Sequence, residues 1–111
     1  MGTVKQADVN PEIIARDRTR YLAHTDNLMM VVIDFRDGPT DEPDAHHSHP
    51  HEQVSYVVLG EIIFFLDDEP THLGPGDIFT VPPHKLHSVQ LLSEHVRLVD
   101  TFHPIRKDFL K

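Results

Sequence analysis

Short runs of β-branched and aromatic residues, separated by clusters of Gly, Pro and Asp, dominate the chain. The runs are LMMVVIDFR, VSYVVLG, EIIFFL, DIFTVP, HSVQLL and HVRLVDTF. Runs of this length and composition are typical of strands, and no long helical period follows residue 25. A chain of 111 residues suffices for one domain with its own core. We therefore predict a single all-β domain, an antiparallel sandwich or barrel.

The predicted barrel occupies residues 21–111. Residues 1–20 are polar and are predicted to form an N-terminal arm, with a short helical turn possible at residues 11–15. Such an arm could cross to a second subunit, so we expect a homodimer. Gly60 lies directly between two apolar runs, and residues 67–70 are rich in turn formers, so both positions predict tight hairpins.

The composition excludes several kinds of partner. The formal net charge is −8, which would repel the phosphates of a nucleic acid. The absence of cysteine removes disulfides and thiolate metal sites. No signal pattern opens the chain, and its longest apolar run, residues 28–33, is far below the ~20 residues of a membrane span. We expect a soluble, cytoplasmic protein, and we interpret the acidic stretch 37–44 as a solvated, turn-rich loop.

Histidine is over-represented: the chain has ten, and four lie in the segment HHSHPH. His47 and His49 are two apart, so on an extended segment both imidazoles lie on one face and can bind one ion. An intervening proline interrupts the strand, so parity does not decide which of His51, Glu52 and Gln53 faces the same ion. A histidine can also lie on the surface in a solvated segment without binding a metal. We interpret four others in this way: His24, His46, His72 and His95.

Two segments resemble the two sequence motifs of the cupin family. HHSHPHEQVSYVVLGE is similar to the first motif, with His47, His49 and Gln53 at its ligand positions. GPGDIFTVPPHKLHSV is similar to the second, with His87 at the ligand position. Gln53 stands where most cupins carry Glu, and His84 stands where the pattern has Gly. The resemblance implies a jelly-roll barrel, or double-stranded β-helix, that holds one divalent metal ion with His47, His49, Gln53 and His87.

The implied ligands are three neutral imidazoles and a neutral amide. They leave the double positive charge of the ion uncompensated, which favours an anionic oxygen ligand from a substrate. Nickel, zinc, iron, manganese and cobalt are all compatible with these donors. The cofactor prediction is therefore one divalent transition metal, with its identity left open.

A carboxylate interrupts the apolar face of the last run. Val96, Leu98, Asp100 and Phe102 alternate with the other residues of that run, so Asp100 is predicted to point into the barrel. An unpaired buried charge is unfavourable, so we interpret Asp100 as functional, with a salt-bridged structural Asp as the alternative. Arg106 follows after a turn and could bind a carboxylate bidentately, or it could be a solvated charge in the tail.

Three segments, LAHTDNLMMVVIDF, HSHPHEQ and VDTFHPIRKDFL, together resemble the KdgF family of pectin-degradation cupins. The resemblance implies Asp100 and Arg106 as catalytic residues, and Phe102 and Arg106 as substrate-binding residues. It implies an isomerase- or tautomerase-like enzyme that converts cyclic 4,5-unsaturated uronates from pectin or alginate to linear 4-deoxy-5-keto uronates. The partner is then a small anionic sugar acid. Asp100 would transfer the proton, Arg106 would bind the substrate carboxylate, and Phe102 would line the sugar face.

Other functions use the same residues differently. A metal-dependent cupin dioxygenase would bind iron with the same ligands, and oxygen uptake with a phenolic or thiol substrate would distinguish it. A non-catalytic sugar-sensing or storage cupin would only bind a ligand in the pocket, although an inward Asp100 disfavours binding of an anion. A regulator that contacts DNA would need a partner chain, because no helix-turn-helix pattern is present. Tyr56 and Phe79 lie on predicted strands and are interpreted as core packing.

Overall fold

The chain folds into two antiparallel β-sheets in a computed structural model, which describes residues 2–110. Within these residues the strands are β1 (Glu12–Ala15), β2 (Arg18–His24), β3 (Met29–Phe35), β4 (Glu52–Leu59), β5 (Ile62–Leu66), β6 (Glu69–Leu73), β7 (Ile78–Val81), β8 (His87–Leu91) and β9 (Val96–His103). Two 3-10 helices, Gln6–Asp8 and Lys107–Phe109, flank the strands. Within residues 2–110, no helix has the length and apolar composition needed to cross a membrane.

One sheet has six strands in the order β1-β2-β3-β9-β4-β7, and the other has three in the order β6-β5-β8. Neighbouring strands are antiparallel throughout the described chain. The chain crosses between the sheets from β4 to β5, from β6 to β7, from β7 to β8 and from β8 to β9, as in a jelly roll. The predicted all-β jelly-roll barrel is confirmed, and each predicted run forms a strand. Strands β1, β2 and β6 were not predicted.

The N-terminal region differs from the expected arm from Glu12 onwards. Strand β1 and the first residues of β2 belong to the six-stranded sheet, so the helical turn considered at residues 11–15 is wrong. Arg18 is paired in register with Phe35, and its guanidinium carbon lies 4.9 Å from the centre of that ring. Because a guanidinium can stack on an aromatic ring, Arg18 packs against Phe35 at a position where alternation would predict an apolar residue.

The chain passes from one sheet to the other at Gly60. Strand β4 belongs to the six-stranded sheet and β5 to the three-stranded sheet, so the tight hairpin predicted at Gly60 is wrong. Gly60 has a φ of +79°, and a Cβ there would collide with the carbonyl oxygen of His95, so only glycine fits. The hairpin predicted at residues 67–70 is confirmed between β5 and β6.

Two apolar clusters form the core. The larger lies between the two sheets, and its buried members are Phe35, Val57, Ile62, Phe64, Phe79, Val81, Leu91, Val96 and Leu98. The smaller consists of Met29, Val31 and Phe102 and is covered by residues of the C-terminal segment, including Phe109. A cavity lined by members of both clusters lies inside the barrel.

The pairing of β4 with β9 positions the polar side chains of the interior. Gln53 is paired with Phe102, and Ser55 is paired with Asp100. Residues two apart in a strand project from the same face, so these four side chains are neighbours on the inner face of the sheet. Gln53, Ser55 and Phe102 are buried, and Asp100 is half-buried. The register therefore assembles an amide, a hydroxyl, a carboxyl group and an aromatic ring in one patch.

Candidate metal centre and cavity

Three imidazoles converge beside the starts of β4 and β8. One nitrogen from each of His47, His49 and His87 lies within 4.8 Å of the others. The backbones of His47 and His87 exchange two hydrogen bonds, of 3.0 and 2.9 Å, which join the segment before β4 to the first residue of β8. The three histidines form a group that can bind a metal ion.

Each of these imidazoles is oriented by the backbone. The Nδ1 atoms of His47, His49 and His87 lie 3.4, 3.0 and 2.9 Å, respectively, from a nearby carbonyl oxygen. A carbonyl accepts a hydrogen bond, so Nδ1 carries the proton and Nε2 keeps the lone pair that a metal requires. Burial lowers the pKa of His87 to about 4 and also lowers the pKa of His49, which keeps both rings neutral at neutral pH.

Gln53 adds an oxygen donor from β4. Its Oε1 lies 3.1 Å from Nε2 of His49, so His49 faces one oxygen at each ring nitrogen. A neutral imidazole has a single N–H and can satisfy only one of these oxygens. A cation between Nε2 and Oε1 removes the conflict, because two ligands at about 2.1 Å from one ion lie about 3.0–3.4 Å apart in octahedral or tetrahedral geometry. The residues present therefore fit a divalent metal ion.

The structure distinguishes Gln53 from the two alternatives that parity left open. His51 lies outside the histidine group, and its Nδ1 is buried without a hydrogen-bond partner among the described residues. Glu52 has a side chain that is 67% exposed, with a carboxylate oxygen 3.9 Å from Nδ1 of His103. His51 contacts His49 only through its backbone carbonyl at Nδ1, whereas Gln53 places a side-chain oxygen at Nε2, the nitrogen that is free for a metal.

Asp100 faces the cavity, as its position in β9 predicts. The Ser55 hydroxyl donates to Oδ1 of Asp100 at 2.6 Å, and the ion pairs of residues 2–110 do not include Asp100. The salt-bridged alternative is therefore wrong. Burial raises the pKa of Asp100 to about 6, against the opposing effects of the Ser55 hydrogen bond, the neighbouring Gln53 amide and the charge of Arg106. A carboxyl group with this pKa can exchange a proton near neutral pH.

Arg106 reaches the cavity from the C-terminal segment, and only 15% of its side chain is exposed. Its Nε and Nη2 donate to the two carboxylate oxygens of Asp108 at 3.1 and 2.7 Å. The guanidinium carbon lies 5.2 Å from the ring centre of Phe102 and 4.3 Å from that of Phe109. Within the described chain Nη1 makes no hydrogen bond, so one edge of the guanidinium remains for an anion. Arg106 is thus not a solvated charge in the tail.

One cavity of about 210 Å³ joins the candidate residues. It is lined by His47, Gln53, His87, Asp100, Phe102 and Arg106. A more open depression of about 750 Å³ lies beside the β5–β6 hairpin, but none of these residues lines it. The smaller cavity is the candidate site, because it combines apolar walls with a few convergent polar groups.

Arg18 and Asp44 also line the cavity, and the sequence did not predict them. Arg18 forms ion pairs with Asp44 at 2.6 Å and with Asp37 at 3.0 Å. The acidic stretch 37–44, interpreted as a solvated loop, therefore supplies two counter-charges to a largely buried arginine. The only sequence signal for this ion pairing was that the two segments carry opposite charges. The sequence does not show that the segments are neighbours in the fold.

The two aromatic residues interpreted as core packing have different positions. Phe79 is buried in the larger cluster and stacks on Phe64, with ring centres 4.2 Å apart, so the interpretation is confirmed for Phe79. Tyr56 is 45% exposed on the outer face of the sheet, so the interpretation is wrong for Tyr56.

The sequence and the fold of this chain are similar to those of known proteins. Residues 31–102 match the family model described as the Cupin domain. The chain is 33% identical, over 84% of its length and 83% of the relative's, to the pectin degradation protein KdgF of Dickeya dadantii (strain 3937). The structure of KdgF from Halomonas sp. has a TM-score of 0.89 and 31% identity, covering 99% of this chain and 100% of that chain. Quercetin 2,3-dioxygenase of Bacillus subtilis (strain 168) is 29% identical over 73% of this chain, which spans 24% of that protein.

These matches agree with the motifs in the sequence. The two motif segments, residues 46–61 and 74–89, both lie within the matched residues 31–102. The similarity to KdgF extends over most of the chain and most of the relative. This chain is therefore a cupin of the KdgF family.

Proposed function

We propose that this protein opens the ring of cyclic 4,5-unsaturated uronates from pectin or alginate and produces linear 4-deoxy-5-keto uronates. The observation that carries the proposal is the Asp100 carboxyl group, which lies in the same cavity as two of the metal-binding histidines and Arg106. The cavity thus combines a group that can transfer protons with groups that can bind an anion. Similarity to a protein named for pectin degradation supports the choice of substrate.

Local positive charge is needed, because the substrate is an anion and the chain has a net charge of −8. Arg106 supplies this charge and would bind the C6 carboxylate through the guanidinium edge that Asp108 does not use. Phe102 lines the cavity beneath the guanidinium and would contact the sugar face. The side chains of the metal centre carry no negative charge, so they do not weaken the attraction between Arg106 and the substrate carboxylate.

The reaction transfers one proton and leaves the composition of the substrate unchanged. The proton leaves the hydroxyl group on C1, C1 becomes an aldehyde, and the bond between C1 and the ring oxygen breaks with its electron pair on that oxygen. The resulting enolate becomes the C5 ketone as C4 takes up a proton. Asp100 can accept the first proton and deliver a proton to C4, because its pKa of about 6 is close to neutral pH.

A divalent transition metal fits His47, His49 and His87, and we propose Gln53 as its fourth protein ligand. A bound ion would polarise substrate oxygens and stabilise the negative charge that develops on them. Nickel, zinc, iron, manganese and cobalt are all compatible with imidazole and amide donors.

The substitution His87→Ala is expected to abolish metal binding, because it removes one of the three convergent nitrogens. Loss of an outer partner of a ligand already lowers metal affinity about 10- to 100-fold, so loss of the ligand should lower it by more than about 100-fold. Elemental analysis of dialysed protein measures the effect. His72→Ala removes a surface ring that pairs with Glu61 and should retain the metal. Equal metal content in the two variants would contradict the proposed centre.

The substitution Asp100→Asn is expected to lower kcat about 100-fold or more while metal content is retained, because an amide cannot carry the proton. The assay follows the absorbance of the C4=C5 double bond in unsaturated galacturonate, corrected for the spontaneous reaction. The control is Asp68→Asn, an exposed residue of the β5–β6 turn. Wild-type kcat in the Asp100→Asn variant would exclude Asp100 as the proton carrier.

The substitution Arg106→Ala is expected to act mainly on binding. A hydrogen bond between charged groups contributes about 1.5–3 kcal/mol, so KM should rise about 10- to 150-fold, with a smaller change in kcat. Lys107→Ala removes an adjacent exposed cation and should leave KM unchanged. If both variants have the wild-type KM, the substrate carboxylate is bound elsewhere.

Two alternatives predict different outcomes of the same assay. A dioxygenase, as the similarity to quercetin 2,3-dioxygenase would suggest, consumes oxygen with a phenolic substrate. A binding-only cupin would bind the uronate without consuming it. Ring opening consumes the unsaturated uronate without uptake of oxygen, so an oxygen electrode together with the absorbance assay separates all three.

We also propose that the protein is a homodimer formed through the outer face of the six-stranded sheet. Two adjacent rows across this face contain no charged side chain: Tyr21, Val32, Val99, Tyr56 and Ile78, and next to them Ala23, Met30, Thr101, Val54 and Thr80. Ile78 is 62% exposed and Met30 51% exposed. Because each copy has a net charge of −8, two copies meet with least repulsion through an uncharged face. A two-fold axis makes such a face complementary to itself.

The substitution Ile78→Lys is expected to convert the dimer into a monomer, since it places a charge in the centre of a desolvated contact. Light scattering at several protein concentrations gives the molar mass. Leu92→Lys introduces the same charge at an exposed position outside the two rows and should leave the dimer intact. A monomeric wild-type protein, or a dimeric Ile78→Lys variant, would contradict this interface.

A further inference from the structure

A chain of three polar contacts connects the metal centre to Asp100. It begins where Nε2 of His49 lies 3.1 Å from Oε1 of Gln53. The amide Nε2 of Gln53 donates to the hydroxyl oxygen of Ser55 at 3.0 Å, and this hydroxyl donates to Oδ1 of Asp100 at 2.6 Å. Ser55 is only 1% exposed, so its hydroxyl has no access to bulk water. Ser55 therefore joins the amide of a metal-centre residue to the carboxyl group in the cavity.

The two ends of the Gln53 amide give this chain a direction. Only the amide oxygen can face a cation, so the NH₂ group is turned towards Ser55. A serine hydroxyl has a single hydrogen, and because the amide already donates to its oxygen, that hydrogen is free for Asp100. Both hydrogen bonds thus donate towards Asp100, and the carboxyl oxygen is held as an acceptor at a fixed place in the cavity wall.

A glutamate at position 53 would not produce this arrangement. Its second carboxylate oxygen would face Ser55 as an acceptor, and the one hydroxyl hydrogen could then satisfy either that oxygen or Asp100. The other would remain a buried acceptor without a donor, which is unfavourable. The amide at Gln53, where most cupins carry Glu, is what allows Ser55 to donate to Asp100.

We propose that Ser55 is a positioning residue, through which the amide of Gln53 holds the Asp100 carboxyl group in a single orientation towards the substrate. This inference rests on the proposed ring-opening function, and it assigns Gln53 a second role in addition to metal binding. Ser55 is not a catalytic residue, because it acts through Asp100. Displacement of a reacting group by about 1 Å can lower a rate about 100-fold, so the orientation of Asp100 matters for turnover.

A simpler account is that Ser55 only satisfies polar atoms of the core. Substitution would then lower stability and leave the kinetics of the folded protein unchanged. The positioning role instead requires a loss of kcat with little change in KM, because substrate binding by Arg106 does not involve Ser55. The substitution Ser55→Ala should therefore lower kcat about 10-fold or more. Ser93→Ala is the control, because it removes a hydroxyl that is bonded to the backbone of Glu61 away from the cavity.

A second pair of variants separates the hydroxyl group from the space it fills. Ser55→Thr and Ser55→Val add side chains of nearly the same shape, but only Thr retains a hydroxyl. We expect kcat of the Thr variant to exceed that of the Val variant about 10-fold, with similar melting temperatures. The comparison remains informative if both are less stable than wild type. Equal kcat values would overturn the proposal.

A crystal structure of the metal-free Ser55→Ala variant gives a readout that does not depend on activity. We expect the Asp100 side chain to leave its wild-type orientation or to occupy several orientations. A single, wild-type orientation would overturn the proposal, as would a displaced Asp100 with unchanged kcat. If wild-type protein loaded with metal does not consume unsaturated galacturonate, the ring-opening function fails. The orientation of Asp100 in the crystal would still decide whether Ser55 positions it.

Discussion

The antiparallel pairing of β4 with β9 is the constraint on which the candidate site depends. It places Ser55 opposite Asp100 and Gln53 opposite Phe102, so both cross-strand pairs of the site share one register. On its other edge β9 is paired with β3 along the full length of that strand, which keeps β9 in the centre of the sheet. Because side chains alternate between the two faces of a sheet, a register slip of one residue would turn these inner side chains to the outer face. The metal centre and the carboxyl group are therefore held at a fixed separation.

The metal centre also connects the two sheets. His87 is the first residue of β8 in the three-stranded sheet, whereas Gln53 belongs to β4 in the six-stranded sheet. His47 lies on the segment that leads into β4, and its backbone hydrogen bonds to His87 join the two sheets. The candidate ligands are thus supplied by both layers of the barrel, and the core cluster between the layers sets the distance between them.

Two arginines contact the cavity, but their electrostatic surroundings differ. Arg18 is paired with Asp37 and Asp44, so its charge is neutralised within the protein. Among residues 2–110, Arg106 is paired only with Asp108, whose side chain is 57% exposed and therefore screened by solvent. The positive potential that an anionic sugar acid would encounter is consequently concentrated at Arg106. This local field explains how a strongly acidic chain can accommodate an acidic ligand.

The correct predictions from sequence were those with a local signal. The separation of His47 and His49 by one residue places both on one face, and the alternation in the last run directs Asp100 inwards. Strand β2 gave no such signal, because it carries Arg18 and Arg20, whose guanidinium groups lie over the rings of Phe35 and Phe109. The pairing of Arg18 with Asp44 joins residues 26 apart, and the hydrogen bond from Ser55 to Asp100 joins residues 45 apart. No local pattern encodes either contact.

The sequence by itself determined six of the nine strands within residues 2–110, the chemical nature of the candidate metal ligands and the inward direction of the carboxylate, because periodicity and motif spacing act within a few residues. Only the tertiary structure showed that the side-chain oxygen of Gln53 lies at Nε2 of His49 and that Ser55 connects Gln53 to Asp100. These contacts depend on which strands are neighbours and in which register, and hydrogen bonding between distant segments and packing of the two sheets set both.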